Sequence, residues 1–136
     1  VLLVKTRIRP SKIEGTGLFA DEFIKKGTIV WQWEEDFDLR IHEKELEKLS
    51  APAKEQFLKY CYFSKRSNRF VLCFDDARFI NHSDTPNLKN VFAPEAGEDF
   101  DIALHDIHPG EEITGDYKEG DPRCLNLPNL LLGLKG

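Results

Sequence analysis

Apolar and polar positions change their spacing several times along this chain, and each change marks off a short element. Residues 1–8 read as a strand, Arg9-Pro10-Ser11 break it, and a second short segment reaches Gly15. Lys25-Lys26-Gly27 reads as a turn into the strand Thr28-Ile29-Val30-Trp31-Gln32-Trp33. Between about residues 36 and 66 the period lengthens. Leu46 and Leu49 stand among charges, and Phe57, Leu58, Tyr60 and Cys61 fall on one face of an amphipathic helix with Pro52 in its first turn. Strand character returns at Phe70-Val71-Leu72-Cys73-Phe74, after the turn Ser67-Asn68-Arg69. It returns again at Ile102-Ala103-Leu104-His105-Asp106-Ile107, which the tight turn His108-Pro109-Gly110 follows. The fold class predicted is mostly β with short helices, carrying one helical insertion.

Composition narrows what such a fold does. At 136 residues one domain is expected, with enough chain to bury a core. A net charge of -5 argues against a general nucleic-acid binder and makes a basic peptide the more natural partner. No apolar run approaches the roughly 20 residues that span a bilayer, so the expectation is an intracellular protein with no membrane association. Cys61, Cys73 and Cys124 are odd in number and widely spaced, which fits buried thiols better than disulfides or a zinc site.

Several motifs invite a chemical reading that their context refuses. Gly15-Thr16-Gly17-Leu18-Phe19-Ala20 matches a dinucleotide-binding fingerprint, but only Asp21 to Lys26 separate it from Gly27, too few for the crossover helix. Glu111 and Glu112 are adjacent on a predicted strand, so they point to opposite faces and do not form a catalytic pair. The same alternation separates His105 from Asp106, and no metal site is assigned.

Three blocks remain, in order: Gly15-x-Gly17-Leu18-Phe19, then Arg78-Phe79-Ile80-Asn81-His82-Ser83-x-x-Pro86-Asn87, then Gly110-Glu111-Glu112-Ile113-Thr114-x-Asp116-Tyr117. The set resembles the SET-domain protein lysine methyltransferases, over roughly residues 5–117. That resemblance implies several small β-sheets, a knot-like arrangement of the Asn-His segment beside the strand leading to the tyrosine, and a tail at residues 118–136 outside the SET domain. It implies S-adenosylmethionine (AdoMet) as cofactor, bound by Gly15, Thr16, Gly17, Leu18, Arg78, Asn81 and His82, the last chiefly through its backbone. Tyr117 would stand beside the transferring methyl group as the catalytic residue. The substrate would be a protein or peptide lysine, from a histone or another basic protein, entering a channel that Tyr60, Tyr62 and Phe63 wall. A eukaryotic member would be expected in the nucleus, and otherwise in the cytoplasm.

The chain departs from many relatives in two places. Only Cys124 follows Tyr117 where they carry a zinc-binding cysteine cluster, and Asp84 stands where they have Cys. The leucine-rich tail is therefore expected to close the channel in place of the zinc segment, or to pair two copies as a homodimer. A second reading remains open at this point: a catalytically silent SET-like interaction module.

Overall fold

Among the described residues, 1–116 apart from Ala96, the computed structural model builds three small sheets around two apolar clusters. The first sheet joins β1 (Thr6–Pro10), β2 (Thr16–Ala20), β10 (Glu112–Gly115) and β7 (Asn81–His82), in that order. The second joins β3 (Ile29–Gln32), β9 (Glu98–Ala103) and β8 (Leu88–Ala93). The third joins β4 (Leu39–Ile41), β6 (Arg69–Leu72) and β5 (Tyr62–Ser64).

The helices sit between the strands of the third sheet. Helix α1 (Glu43–Leu46) is a single turn that buries Leu46, and α2 (Ala51–Tyr60) buries Phe57 beside Cys61 and Phe70. Ser50 caps α2 by accepting from the Ala53 N–H at 3.3 Å, and Pro52 occupies the first turn, where no intrahelical donor is lost. Asn68 takes a φ of 56° to turn β5 back along β6. The insertion at 36–66 is thus helical only in its middle, because β4 and β5 pair on either side of β6.

Two strand boundaries differ from the sequence reading. The first strand begins at Thr6 and runs through Pro10, an edge position where proline's missing N–H breaks no ladder. Strand β9 ends at Ala103; Ile107 instead makes an isolated bridge to Ile24, with N···O distances of 2.8 Å in both directions. The larger core gathers Leu18, Trp31, Ile80, Ile107 and Ile113, so it lies where the first two sheets meet. Beneath the third sheet Glu98, 1% exposed, pairs with Arg40 at 3.1 Å and accepts from the Ser64 hydroxyl. No helix of the described residues is long and apolar enough to cross a membrane.

Candidate active site

Strand β10 is the element on which the three sequence blocks converge. It pairs antiparallel with β2, setting Ile113 opposite Leu18, and parallel with β7, setting Thr114 opposite Asn81 and Gly115 opposite His82. A parallel pair between neighbours of such different sequence position brings the Asn-His segment alongside the residues that lead to Tyr117. Tyr117 itself, with the tail 118–136, lies outside the described residues.

The clasp that holds this arrangement is made of side-chain amides. Asn87, 7% exposed, donates to the Glu112 carbonyl at 2.8 Å and accepts from the Thr114 N–H at 2.8 Å, completing a two-point bond to β10. Asn81 donates through Nδ2 to the carbonyls of Glu14 (3.1 Å) and Thr16 (3.3 Å) and to Glu112 Oε2 (3.0 Å). The Ser11 hydroxyl lies 2.8 and 2.9 Å from the two Glu112 carboxylate oxygens. Residues 11, 14, 16, 81 and 112 therefore form one hydrogen-bonded unit.

Both glycines of the first block have local reasons. Gly15 adopts a φ of 42°, which favours glycine, and the space beside it is open. At Gly17 a side chain would meet Glu112 Oε2 at 2.5 Å, so the room that glycine leaves is taken by that carboxylate. Leu18 buries its side chain fully in the core. Arg78 directs Nη2 to the Phe74 carbonyl at 2.7 Å and Nε to the Asp75 carbonyl at 3.3 Å, closing the 3-10 helix Asp76–Phe79. His82 is 9% exposed, with Nε2 at 3.0 Å from Asp84 Oδ1 and Nδ1 at 3.6 Å from Asp116 Oδ1. Its ring is held by carboxylates from both sides.

A cavity of about 860 Å³ opens at the C-terminal end of β10, where Gly115 and Asp116 line it. Tyr60 from the end of α2, and Tyr62 and Phe63 from β5, all line it, with Trp31 and, next to the position of Tyr117, Asp116. Gly15, Gly17, Asn81 and His82 do not line it, whereas Arg78, predicted with them as a cofactor residue, stands on its wall beside the predicted channel residues. The sequence reading missed Asp99 and Asp101, which reach the cavity from one face of β9 by strand alternation. Burial raises Asp101 to about 6, against a lowering hydrogen bond from Asn90 at 2.8 Å and with a raising contribution from Asp99. Burial also raises Asp99, opposed by Arg66, whose Nε lies 3.7 Å away. Lys65, Arg66, Arg78 and Lys89 complete a wall of mixed charge.

The SET-domain family model matches residues 15–118, and the chain belongs to that family. Among solved structures it is similar to a candidate histone methyltransferase of Plasmodium falciparum, at 23% identity and a TM-score of 0.56, covering 85% of this chain and 95% of that one. At that identity the likeness is one of fold. No curated protein matches the sequence.

Beside the first block the polar groups are of a kind that suits the methionine end of AdoMet. β7 is the edge strand of its sheet, Gly15 has open space beside it, and Asn81 Oδ1 takes no hydrogen bond among the described residues. An acceptor on an exposed edge suits a ligand with a cationic amino group.

Proposed function

We propose that this chain moves the methyl group of AdoMet to the side-chain amine of a lysine in a protein substrate. The observation that carries the reading is the convergence on β10. Gly15 to Gly17, Asn81 and Glu112 meet along the strand, a cavity walled in part by Trp31, Tyr60, Tyr62 and Phe63 opens at its Gly115 end, and the strand ends two residues before Tyr117 in sequence. The family's activity supplies the rest by resemblance.

AdoMet supplies a methyl already activated by its sulfonium, so the protein needs neither a metal nor a nucleophile of its own. The work left to the chain is alignment and exclusion of water. A lysine amine, with an unperturbed pKa of about 10.4, must reach the site neutral. The rings of Trp31, Tyr60, Tyr62 and Phe63 and the cations Lys65, Arg66, Arg78 and Lys89 line a cavity that disfavours the ammonium form, with Asp99, paired to Arg66, and Asp101 on the same wall. By motif match Tyr117 orients the amine through its hydroxyl. With an unperturbed pKa near 10 it serves as a positioning and electrostatic group and not as a strong base.

The deciding measurement is transfer of labelled methyl from AdoMet to a mixture of basic proteins in the presence of a chelator, with the modified residue located by mass spectrometry. Methylated lysine is the expected result. AdoMet binding without transfer to any protein would replace the enzyme by the interaction-module reading, and absence of binding would remove the cofactor as well.

A further inference from the structure

Three oxygen atoms crowd the side-chain nitrogen of Asn81, and none of them can donate: the carbonyls of Glu14 and Thr16, and Glu112 Oε2 at 3.0 Å. Turned the other way, the amide would press Oδ1 against all three. Its orientation is therefore fixed by its neighbours' chemistry, with two amide protons shared among three acceptors. The carbonyls belong to the backbone around Gly15 and are there whatever the side chains. Glu112 is the one side chain of the three, and it is itself held from behind by the Ser11 hydroxyl at 2.8 and 2.9 Å and seated in the space that Gly17 leaves.

We propose that Glu112 is a positioning residue for cofactor binding. Its carboxylate keeps Asn81 Nδ2 turned into the protein, so that Oδ1 alone is presented to the ligand and accepts from its ammonium group. The inference rests on the AdoMet reading above. AdoMet offers both an ammonium donor and a carboxylate acceptor at its methionine end. With Nδ2 consumed by Glu14, Thr16 and Glu112, the Asn81 side chain serves only the ammonium. Glu111 provides the contrast: its Oε1 accepts from the His108 N–H at 3.0 Å inside the preceding turn, and it takes no part in the cluster.

A double-mutant cycle read by calorimetric AdoMet affinity, which needs no turnover, separates positioning from a general structural role. Asn81→Ala should weaken binding roughly tenfold, the worth of one hydrogen bond to a charged group, and Glu112→Ala should weaken it by a smaller factor, because the Glu14 and Thr16 carbonyls still hold part of the amide's orientation. The double variant should bind no more weakly than Asn81→Ala alone, because Glu112 acts through Asn81. Glu112→Gln keeps an acceptor for Nδ2 and should restore most of the affinity, and Glu111→Ala should leave it unchanged. Losses that multiply in the double variant, or a Glu112→Ala protein that binds like the parent, would overturn the proposal while leaving the methyltransferase reading intact. A parent chain that does not bind AdoMet would instead sink that reading, and this inference with it. Circular dichroism of each variant guards against misfolding, and if Glu112→Ala fails to fold, Ser11→Ala, which releases the carboxylate from behind, should weaken binding in the parent and not in an Asn81→Ala background, parent-like binding of Ser11→Ala overturning the proposal.

Discussion

Replacing Gly17 by alanine sets two effects of opposite sign against each other, and the structure says which is larger. Gly17 lies in β2 without a positive φ, so alanine fits its backbone and should stabilise the chain by about 0.4–1 kcal/mol through the unfolded state. Against this, the new Cβ would stand 2.5 Å from Glu112 Oε2, 2.9 Å from Glu112 Cδ and 3.0 Å from Ser11 Cβ. Relaxed carbon–oxygen contacts begin near about 3.3 Å, so the carboxylate must retreat by roughly 0.8 Å. It cannot do so and keep both Ser11 at 2.8 Å and Asn81 at 3.0 Å. Losing one such bond to a carboxylate costs about 1.5–3 kcal/mol. The loss outweighs the entropy gain, and Gly17→Ala should be destabilising by about 1–2 kcal/mol in urea unfolding. In a Glu112→Ala background only the 3.0 Å contact with Ser11 Cβ remains, and the same substitution should cost markedly less than in the parent. An alanine variant more stable than the parent in the natural background would refute the account of Gly17.

Two further outcomes test the cavity side. Because burial raises Asp101 from 3.8 to about 6, the folded chain retains a proton that the unfolded chain releases. That contribution to stability is complete below pH 3.8 and lost by the time pH passes 6, so stability falls across the interval. Asp101→Asn can still accept from Asn90 and should flatten the fall, leaving a smaller slope from Asp99, which is raised in the same direction. Urea midpoints at four pH values between 4 and 7 measure it, and parallel curves for parent and variant would count against the burial argument. Tyr117→Phe removes one hydroxyl and should lower methyl transfer by about 10²-fold with AdoMet affinity unchanged. Full turnover in that variant would move the role to Tyr60 or Tyr62, both on the cavity wall.

Much of this fold is legible in the sequence because its signals are local. Ser50 and Pro52 announce α2, Asn68 marks the turn before β6, and Pro109-Gly110 delivers the chain into β10 with Gly110 at a φ of 89°. The failures are also local in origin. Alternation continues past Ala103 to Ile107, but the chain leaves β9 there, and Ile107 finds its partner in Ile24, far away in sequence. Residues 1–4 look like strand and pair with β3 through one isolated bridge, Leu2 to Trp31, bracketed by Leu3 N to the Val30 carbonyl at 2.9 Å and Gln32 N to the Val1 carbonyl at 3.0 Å, while Leu2 N turns to Asp75 at 2.8 Å. Periodicity records which face of a segment is apolar, and it carries no information on whether a neighbour is available to pair with it.

The site shows the same division more sharply. The three motif blocks, each with its residue types at fixed short spacings, point to Gly15, Gly17 and Asn81, which the structure brings beside β10 at Glu112. What spacing cannot express is that Gly17 and Ser11 both face Glu112 across a strand pair. From the sequence, a glycine in this block reads as room left for a ligand, and a glutamate after Gly110-Glu111 reads as a turn residue. Alternation did separate the two glutamates correctly: Glu111 closes the turn at His108, and Glu112 reaches the opposite face, where Asn81 and Gly17 await it. The tight contact at Gly17 is therefore internal to the protein, made with a carboxylate that also accepts from Asn81 Nδ2 at 3.0 Å, so the glycine leaves room for a side chain of its own chain.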